Sequence, residues 1–225
     1  MKNILYILFF VLSACDGQKD ATTPVRQEPP FWNDIQYFKK QDSVSFPPKN
    51  AILFIGSSSF TMWKGVQDSF PGYTIINRGF GGSTLSDQIR YEKDLIVPYE
   101  PKQIVIYCGE NDLASSDTVT AQTVLERFKT LYADIKSKFP EVSIAFISLK
   151  PSPSRRHLFS KMQQSNKMIK EFLSTQRNTA FIDVHRPMLG TNGEPLPEIF
   201  LEDSLHMNEK GYAIWKKEIQ PYLLK

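Results

Sequence analysis

One of only three histidines, His206, follows a carboxylate by three places in Asp203-Ser204-Leu205-His206. At that separation a carboxylate can reach an imidazole N–H, fix its tautomer and stabilise the imidazolium formed when the other nitrogen takes a proton. A base so supported calls for a nucleophile, and Gly56-Ser57-Ser58-Ser59 offers one directly after an apolar run. A serine at a strand-to-helix turn can project its hydroxyl while the helix start presents free backbone N–H groups to an anion. Taken alone, that run also fits a phosphate-cradling turn or an ordinary loop. The other histidines lie in the polar loop Ser154-Arg155-Arg156-His157 and in Asp183-Val184-His185-Arg186, where surface or loop-ordering roles are expected. Asp183 is a rival acid at a strand end; Asp203 is preferred for its fixed spacing to His206.

Donors for a developing oxyanion can be read in two further places. In Asn77-Arg78-Gly79-Phe80-Gly81-Gly82-Ser83, three glycines among four residues allow close backbone approach to a substrate, although a tight turn would use the same residues. A dinucleotide fingerprint fails there, because its third glycine would fall on Thr84. Cys108-Gly109-Glu110-Asn111-Asp112 places an amide at the end of another apolar run, where it can donate without competing as a base. Asp112 is expected to cap a helix or order the loop.

These motifs need elements to hold them. Apolar runs at 51–55, 73–76, 103–107, 142–147 and 180–182 alternate with helical stretches at 85–96, 121–138, 161–176 and 208–223. Continuous apolar strands separated by helices predict a parallel sheet covered on both faces, a three-layer α/β/α sandwich. Right-handed crossovers make a five-stranded flavodoxin-like order the default, with ligands at the carboxyl ends of the strands. Phe31-Trp32 and Tyr37-Phe38 predict a short amphipathic helix packing its aromatics on the domain. Phe60, Met62, Trp63, Phe80 and Leu113 either line an acyl groove or belong to the core.

Serine, glycine, asparagine and Asp-x-x-His, as strand-end elements in this order, resemble the SGNH hydrolases, also called GDSL lipases and esterases. The resemblance covers nearly all of the chain after about residue 31. It implies the SGNH hydrolase fold, with Ser58 as nucleophile, Asp203 and His206 as acid and base, and an oxyanion hole of the Ser58 backbone N–H, Gly82 and Asn111. The stretch His206-Met207-Asn208-Glu209-Lys210-Gly211-Tyr212 looks like the family's exit into its last helix. Ser57 stands where the family name expects aspartate, so substrate preference does not carry over from Gly-Asp-Ser members.

Composition bounds the rest. With 225 residues and 41% hydrophobic content, one buried α/β domain is expected. Twenty-seven basic against 24 acidic residues, without a basic stripe, argue against a nucleic-acid partner. No His, Cys and carboxylate cluster has metal-ligand spacing, so neither metal nor cofactor is expected. The apolar run 4–12 follows a single lysine, is shorter than the roughly 20 residues that span a bilayer, and ends in small residues, which predicts a signal peptide over 1–14. Leu12-Ser13-Ala14-Cys15 resembles a bacterial lipobox, implying a lipidated Cys15, a polar tether over 15–30 and a hydrolase domain over 31–225. Cys108 then has no disulfide partner and reads as a small buried hydrophobe.

The expectation is therefore an exported lipoprotein, held at a membrane by its anchor only, periplasmic or on the cell-surface side. Its partner would be an acyl-ester small molecule or acetylated glycan, cleaved through an acyl-enzyme, with short acyl or acetyl esters of carbohydrate first. A lysophospholipase-like lipid esterase is the alternative, followed by an acyltransferase or a non-catalytic glycan-binding module. The last would have lost part of the machinery, and none is missing here.

Overall fold

The computed structural model describes residues 28–225. The expected signal peptide over 1–14, Cys15, and the 15–30 tether up to residue 27 lie outside the described residues. The five strands are β1 (Ile52–Gly56), β2 (Ile75–Gly79), β3 (Gln103–Tyr107), β4 (Ser143–Ile147) and β5 (Thr179–Ile182). All pair in parallel, in the order β2-β1-β3-β4-β5, the flavodoxin-like arrangement expected from the alternation of runs and helices. Around them lie helices α1 (Trp32–Val44), α2 (Ser58–Thr61), α3 (Val66–Ser69), α4 (Leu85–Arg90), α5 (Glu92–Leu95), α6 (Glu110–Ser115), α7 (Ala121–Lys138), α8 (Phe159–Ser174) and α9 (Glu209–Ile219).

Strand side chains alternate between the two faces of the sheet, so each continuous apolar run supplies two cores. Leu53, Ile55, Ile104, Ile106, Ile144 and Phe146 face α1, α4, α7 and α8, meeting Ile35, Leu85, Val124, Phe128, Met162 and Ile169. Ile52, Phe54, Val105, Tyr107, Ala145 and Ile147 face α2, α3 and α9, where Phe60, Val66 and Trp215 cover them. The three-layer sandwich follows directly.

Several boundaries shift by one or two residues, and three differences have a clear physical cause. The second strand runs through the polar Asn77 and Arg78, because Arg78 is neutralised inside the fold: its guanidinium bonds the Tyr99 hydroxyl at 2.7 Å and pairs with Asp42 of α1. The stretch 85–96 divides at Tyr91, whose ring packs edge-on against Phe80 at 6.3 Å and whose hydroxyl donates to the Pro30 carbonyl at 2.6 Å. The last helix stops at Ile219, since Pro221 cannot continue it and a short 3-10 turn takes over.

Register decides what the sheet presents. Gly56 is level with Gly79 on one side and Tyr107 on the other, so β1, β2 and β3 end together. The fit at Gly56 excludes any side chain: its φ is +145°, and a Cβ there would lie 1.9 Å from the Tyr107 carbonyl oxygen. Gly56→Ala is therefore expected to destabilise the protein by about 3 kcal/mol or more, or to prevent folding. Urea unfolding of the purified variant measures this, and an unchanged midpoint would refute it.

Candidate active site

The carboxyl ends of β1, β2 and β3 are each followed by one of the motifs singled out above. After β1 the chain turns at Ser57, whose N–H donates to the Tyr107 carbonyl at 3.1 Å, and α2 begins at Ser58. Ser57 and Ser59 are buried at 4% and 2% exposure, whereas Ser58 is partly open to solvent. Of the three serines, Ser58 alone offers its hydroxyl to the surface.

That hydroxyl lies 3.0 Å from Nε2 of His206, 148 residues away in the chain. On the other side of the ring, Nδ1 is 2.6 Å from Oδ2 of Asp203. The remaining carboxylate oxygen of Asp203 accepts the backbone N–H groups of Leu205 and His206, both at 2.9 Å. Partial burial pushes the Asp203 carboxyl up, but the His206 and Leu205 backbone donors and the imidazole outweigh it and hold the pKa at about 2. A carboxylate charged across the neutral and mildly acidic range makes Nδ1 the protonated nitrogen, which leaves Nε2 free to accept from Ser58.

Local bonds build this turn. The Leu201 N–H donates to the His206 carbonyl at 2.8 Å and the Ser204 N–H to the Leu201 carbonyl at 2.9 Å, with Ser204 at a left-handed φ of 56°. Asn208 then caps α9 through the N–H groups of Lys210 and Gly211, while its own amide donates to the Glu198 and Phe200 carbonyls. From α9 the Tyr212 hydroxyl donates to the Ser59 carbonyl at 2.8 Å, tying the segments of His206 and Ser58 together.

The β2–α4 loop approaches from the opposite side. Gly82 has φ +83°, a left-handed conformation natural to glycine, and a Cβ built on Gly81 would be 3.9 Å from that of Ser58. Buried Ser83 fixes the loop by donating to the Phe80 carbonyl at 2.9 Å. The Asn111 side-chain amide donates to the Ser83 carbonyl at 3.0 Å, so the loop after β2 and the start of α6 are joined at this point. Among the described residues, the backbone N–H groups of Ser58 and Gly82 have no protein acceptor. Asp112 does order the loop, but for a neighbouring element: it accepts the Leu85 N–H at 2.9 Å and pairs with Arg127 at 2.7 Å.

The rival residues lie elsewhere. Asp183 accepts the N–H groups of His185 and Arg186 within its own turn. His185 is buried with Nδ1 2.9 Å from the Leu149 carbonyl, and His157 is exposed on the Pro153–Leu158 turn. Cys108 is fully buried, and burial pushes its thiol well above the usual range. Among the described residues, no group of three or more His, Cys, Asp or Glu side chains is placed to hold a metal ion.

The Phe31 ring packs on the domain as expected, edge-on against Phe80 at 5.2 Å and 3.8 Å from where a Cβ on Gly82 would lie. One group escaped the sequence reading. Lys150, Ser152 and Arg155, in a stretch that reads as a polar loop, converge on the buried Glu110 beside Asn111. The only sequence cue was a lysine three residues after an apolar strand.

The model of the GDSL-like Lipase/Acylhydrolase family matches residues 54–214, which include Ser58, Gly82, Asn111, Asp203 and His206. The chain belongs to this family. Membership makes it an ester hydrolase and agrees with the SGNH resemblance of its motifs. Among solved structures, it is similar to a GDSL-like lipase from Bacteroides thetaiotaomicron, at 19% identity and TM-score 0.71, covering 83% of this chain and 95% of that one. A lipase/acylhydrolase from Enterococcus faecalis shares 22% identity with TM-score 0.60, over 77% and 97% of the two chains. A mutant of an acetyl-xylooligosaccharide esterase from Geobacillus gives 15% identity and TM-score 0.63, over 80% and 96%. No curated protein matches the sequence.

Asp203→Asn should keep the turn, since an amide oxygen can still accept both backbone N–H groups. It would present a donor to Nδ1 and favour the wrong tautomer. Turnover is expected to fall by up to about 10⁴-fold with little change in thermal stability. A kcat within a few-fold of wild type would remove Asp203 from the site.

Proposed function

We propose that Ser58 is the nucleophile of this GDSL-family hydrolase, His206 its base and Asp203 the carboxylate that orients the base. The observation that carries the reading is the unbroken chain Ser58 Oγ, His206 Nε2, His206 Nδ1, Asp203 Oδ2, with contacts of 3.0 and 2.6 Å. Nε2 takes the serine proton as Oγ attacks the ester carbonyl carbon. The resulting oxyanion is received by the N–H groups of Ser58 and Gly82 and by the second amide hydrogen of Asn111. The imidazolium returns its proton to the departing alcohol, leaving an acyl-enzyme. Water, deprotonated by the same imidazole, then releases the acid.

The preferred substrates are short acyl or acetyl esters of carbohydrate. A long acyl chain needs an apolar groove, and three of the side chains considered for lining one are core: Phe60, Phe80 and Leu113 are at most 1% exposed. Similarity to an acetyl-xylooligosaccharide esterase points the same way. A lysophospholipase-like activity is the second reading. An open groove of about 530 Å³, lined by Met62, Trp63, Leu201 and Met207 among others, includes residues on both flanks of His206. For location we propose an exported lipoprotein anchored through Cys15, supported by the apolar run 4–12 and Leu12-Ser13-Ala14-Cys15.

Ser58→Ala should abolish hydrolysis of an aryl acetate and labelling by a fluorophosphonate, while Ser57→Ala and Ser59→Ala retain much of both. Full turnover in Ser58→Ala would end the assignment. On aryl esters of graded length, kcat/KM is expected to fall beyond the short acyl groups; a rise with chain length would favour the lysophospholipase reading. In a bacterial host, Cys15→Ser should move the protein from the membrane to the soluble fraction, and unchanged fractionation would overturn the anchor.

A further inference from the structure

The side-chain amide of Asn111 is held at both ends. Its nitrogen donates to the Ser83 carbonyl at 3.0 Å, and its oxygen accepts from Nη2 of Arg155 at 2.9 Å. Arg155 is itself fixed, because Nη1 pairs with Oε1 of Glu110 at 3.2 Å. Glu110 is buried at 3% exposure and also binds Lys150 at 2.8 Å, Ser152 at 3.1 Å and the Tyr107 hydroxyl. Burial pushes the Glu110 carboxyl up, yet Lys150 and Arg155 more than offset this and keep it ionised. The same segment reaches the other half of the site, where the Ser154 N–H donates to the Ser204 carbonyl at 3.1 Å, between Asp203 and His206.

We infer that Arg155 is a positioning residue for the oxyanion donor Asn111, with the buried Glu110, Lys150 and Ser152 serving to hold its guanidinium. The inference rests on the proposed role of Asn111. An oxyanion donor contributes most when its direction is set before charge develops, so that nothing reorients during the reaction. Ser83 alone pins one amide hydrogen and leaves the oxygen unheld; the guanidinium removes that freedom. A cation donating to an amide oxygen also polarises the group and strengthens its N–H as a donor. The planar fork of arginine can serve Glu110 and Asn111 at once, which a lysine ammonium cannot reproduce in the same geometry.

The test is a double-mutant cycle on an aryl acetate, with thermal stability recorded for each protein. Asn111→Ala should lower kcat by about 10²–10³-fold. Arg155→Met should lower kcat by roughly 10–10²-fold with KM little changed, the pattern of an interaction made in the transition state. In the Asn111→Ala background, Arg155→Met should have almost no further effect, since the group it orients is gone. Arg155→Lys should restore thermal stability by pairing with Glu110 but not kcat, a split that a merely structural role would not give. Independent, multiplying losses in the double variant, or turnover near wild type in both single Arg155 variants while Asn111→Ala is slow, would overturn the inference and leave the proposed function intact. Loss of folding in both Arg155 variants would also overturn it, assigning the cluster to stability alone. Full turnover in Asn111→Ala would instead refute the oxyanion role of Asn111, and this inference with it.

Discussion

The arrangement depends on one close approach between backbones. The Tyr107 carbonyl occupies the space a side chain on Gly56 would need, and it accepts the N–H of Ser57 immediately afterwards. A glycine is thus required at the last position of β1, in a conformation that other residues resist. Because Gly56 is also level with Gly79, three parallel strands end in one row. Each of the following loops starts from that row, which is why segments near residues 58, 82 and 111 meet without any of them being long. The sheet is a ruler for the site as much as a core.

Asp203 and His206 reach the same place by different means. They ride on the turn after Phe200, which carries its own backbone bonds and whose flanks pair as an antiparallel bridge between Phe200 and Met207. A compact turn of this kind can fix Asp203 against His206 by local geometry alone. Docking it is a separate problem, met by the Asn208 cap of α9 and by the Tyr212 bond to the Ser59 carbonyl. Trp215, fully buried on the same helix, packs edge-on against Tyr107 of β3 at 4.7 Å and keeps α9 on the sheet. The contact between Ser58 and His206 therefore reports on the packing of α9 as well as on the turn.

What the sequence disclosed follows from the range of the interactions involved. Runs 51–55 and 103–107 were legible because a strand buried on both faces is apolar along nearly its whole length, and 121–138 because its apolar residues keep helical spacing. The Asp203–His206 pair was legible because its geometry is local. The extent of β2 was not, since Arg78 is acceptable inside only by virtue of Asp42 and Tyr99, 36 and 21 residues away. The break at Tyr91 depends likewise on Pro30 and Phe80. Arg155 was hidden for the same reason: proline, serine and arginine between 151 and 156 look solvated until Glu110 supplies a buried counter-charge from another strand end.

That buried cluster bears on how the fold balances stability against function. Taking Lys150 and Glu110 out of water costs several kcal/mol per ion, and apolar residues of similar volume often fill such a space with equal or greater stability. An apolar filling could cover the same ground beneath the turn and satisfy the sheet. It could not offer a donor to the oxygen of Asn111, nor join the β3 and β4 ends through charges whose directions are mutually fixed. Uncompensated ions would be untenable there. The cluster is tolerable because Lys150, Arg155, Ser152 and Tyr107 all meet the two oxygens of Glu110. Its directional bonds are the means by which a loop of ordinary polar composition becomes a rigid wall of the site.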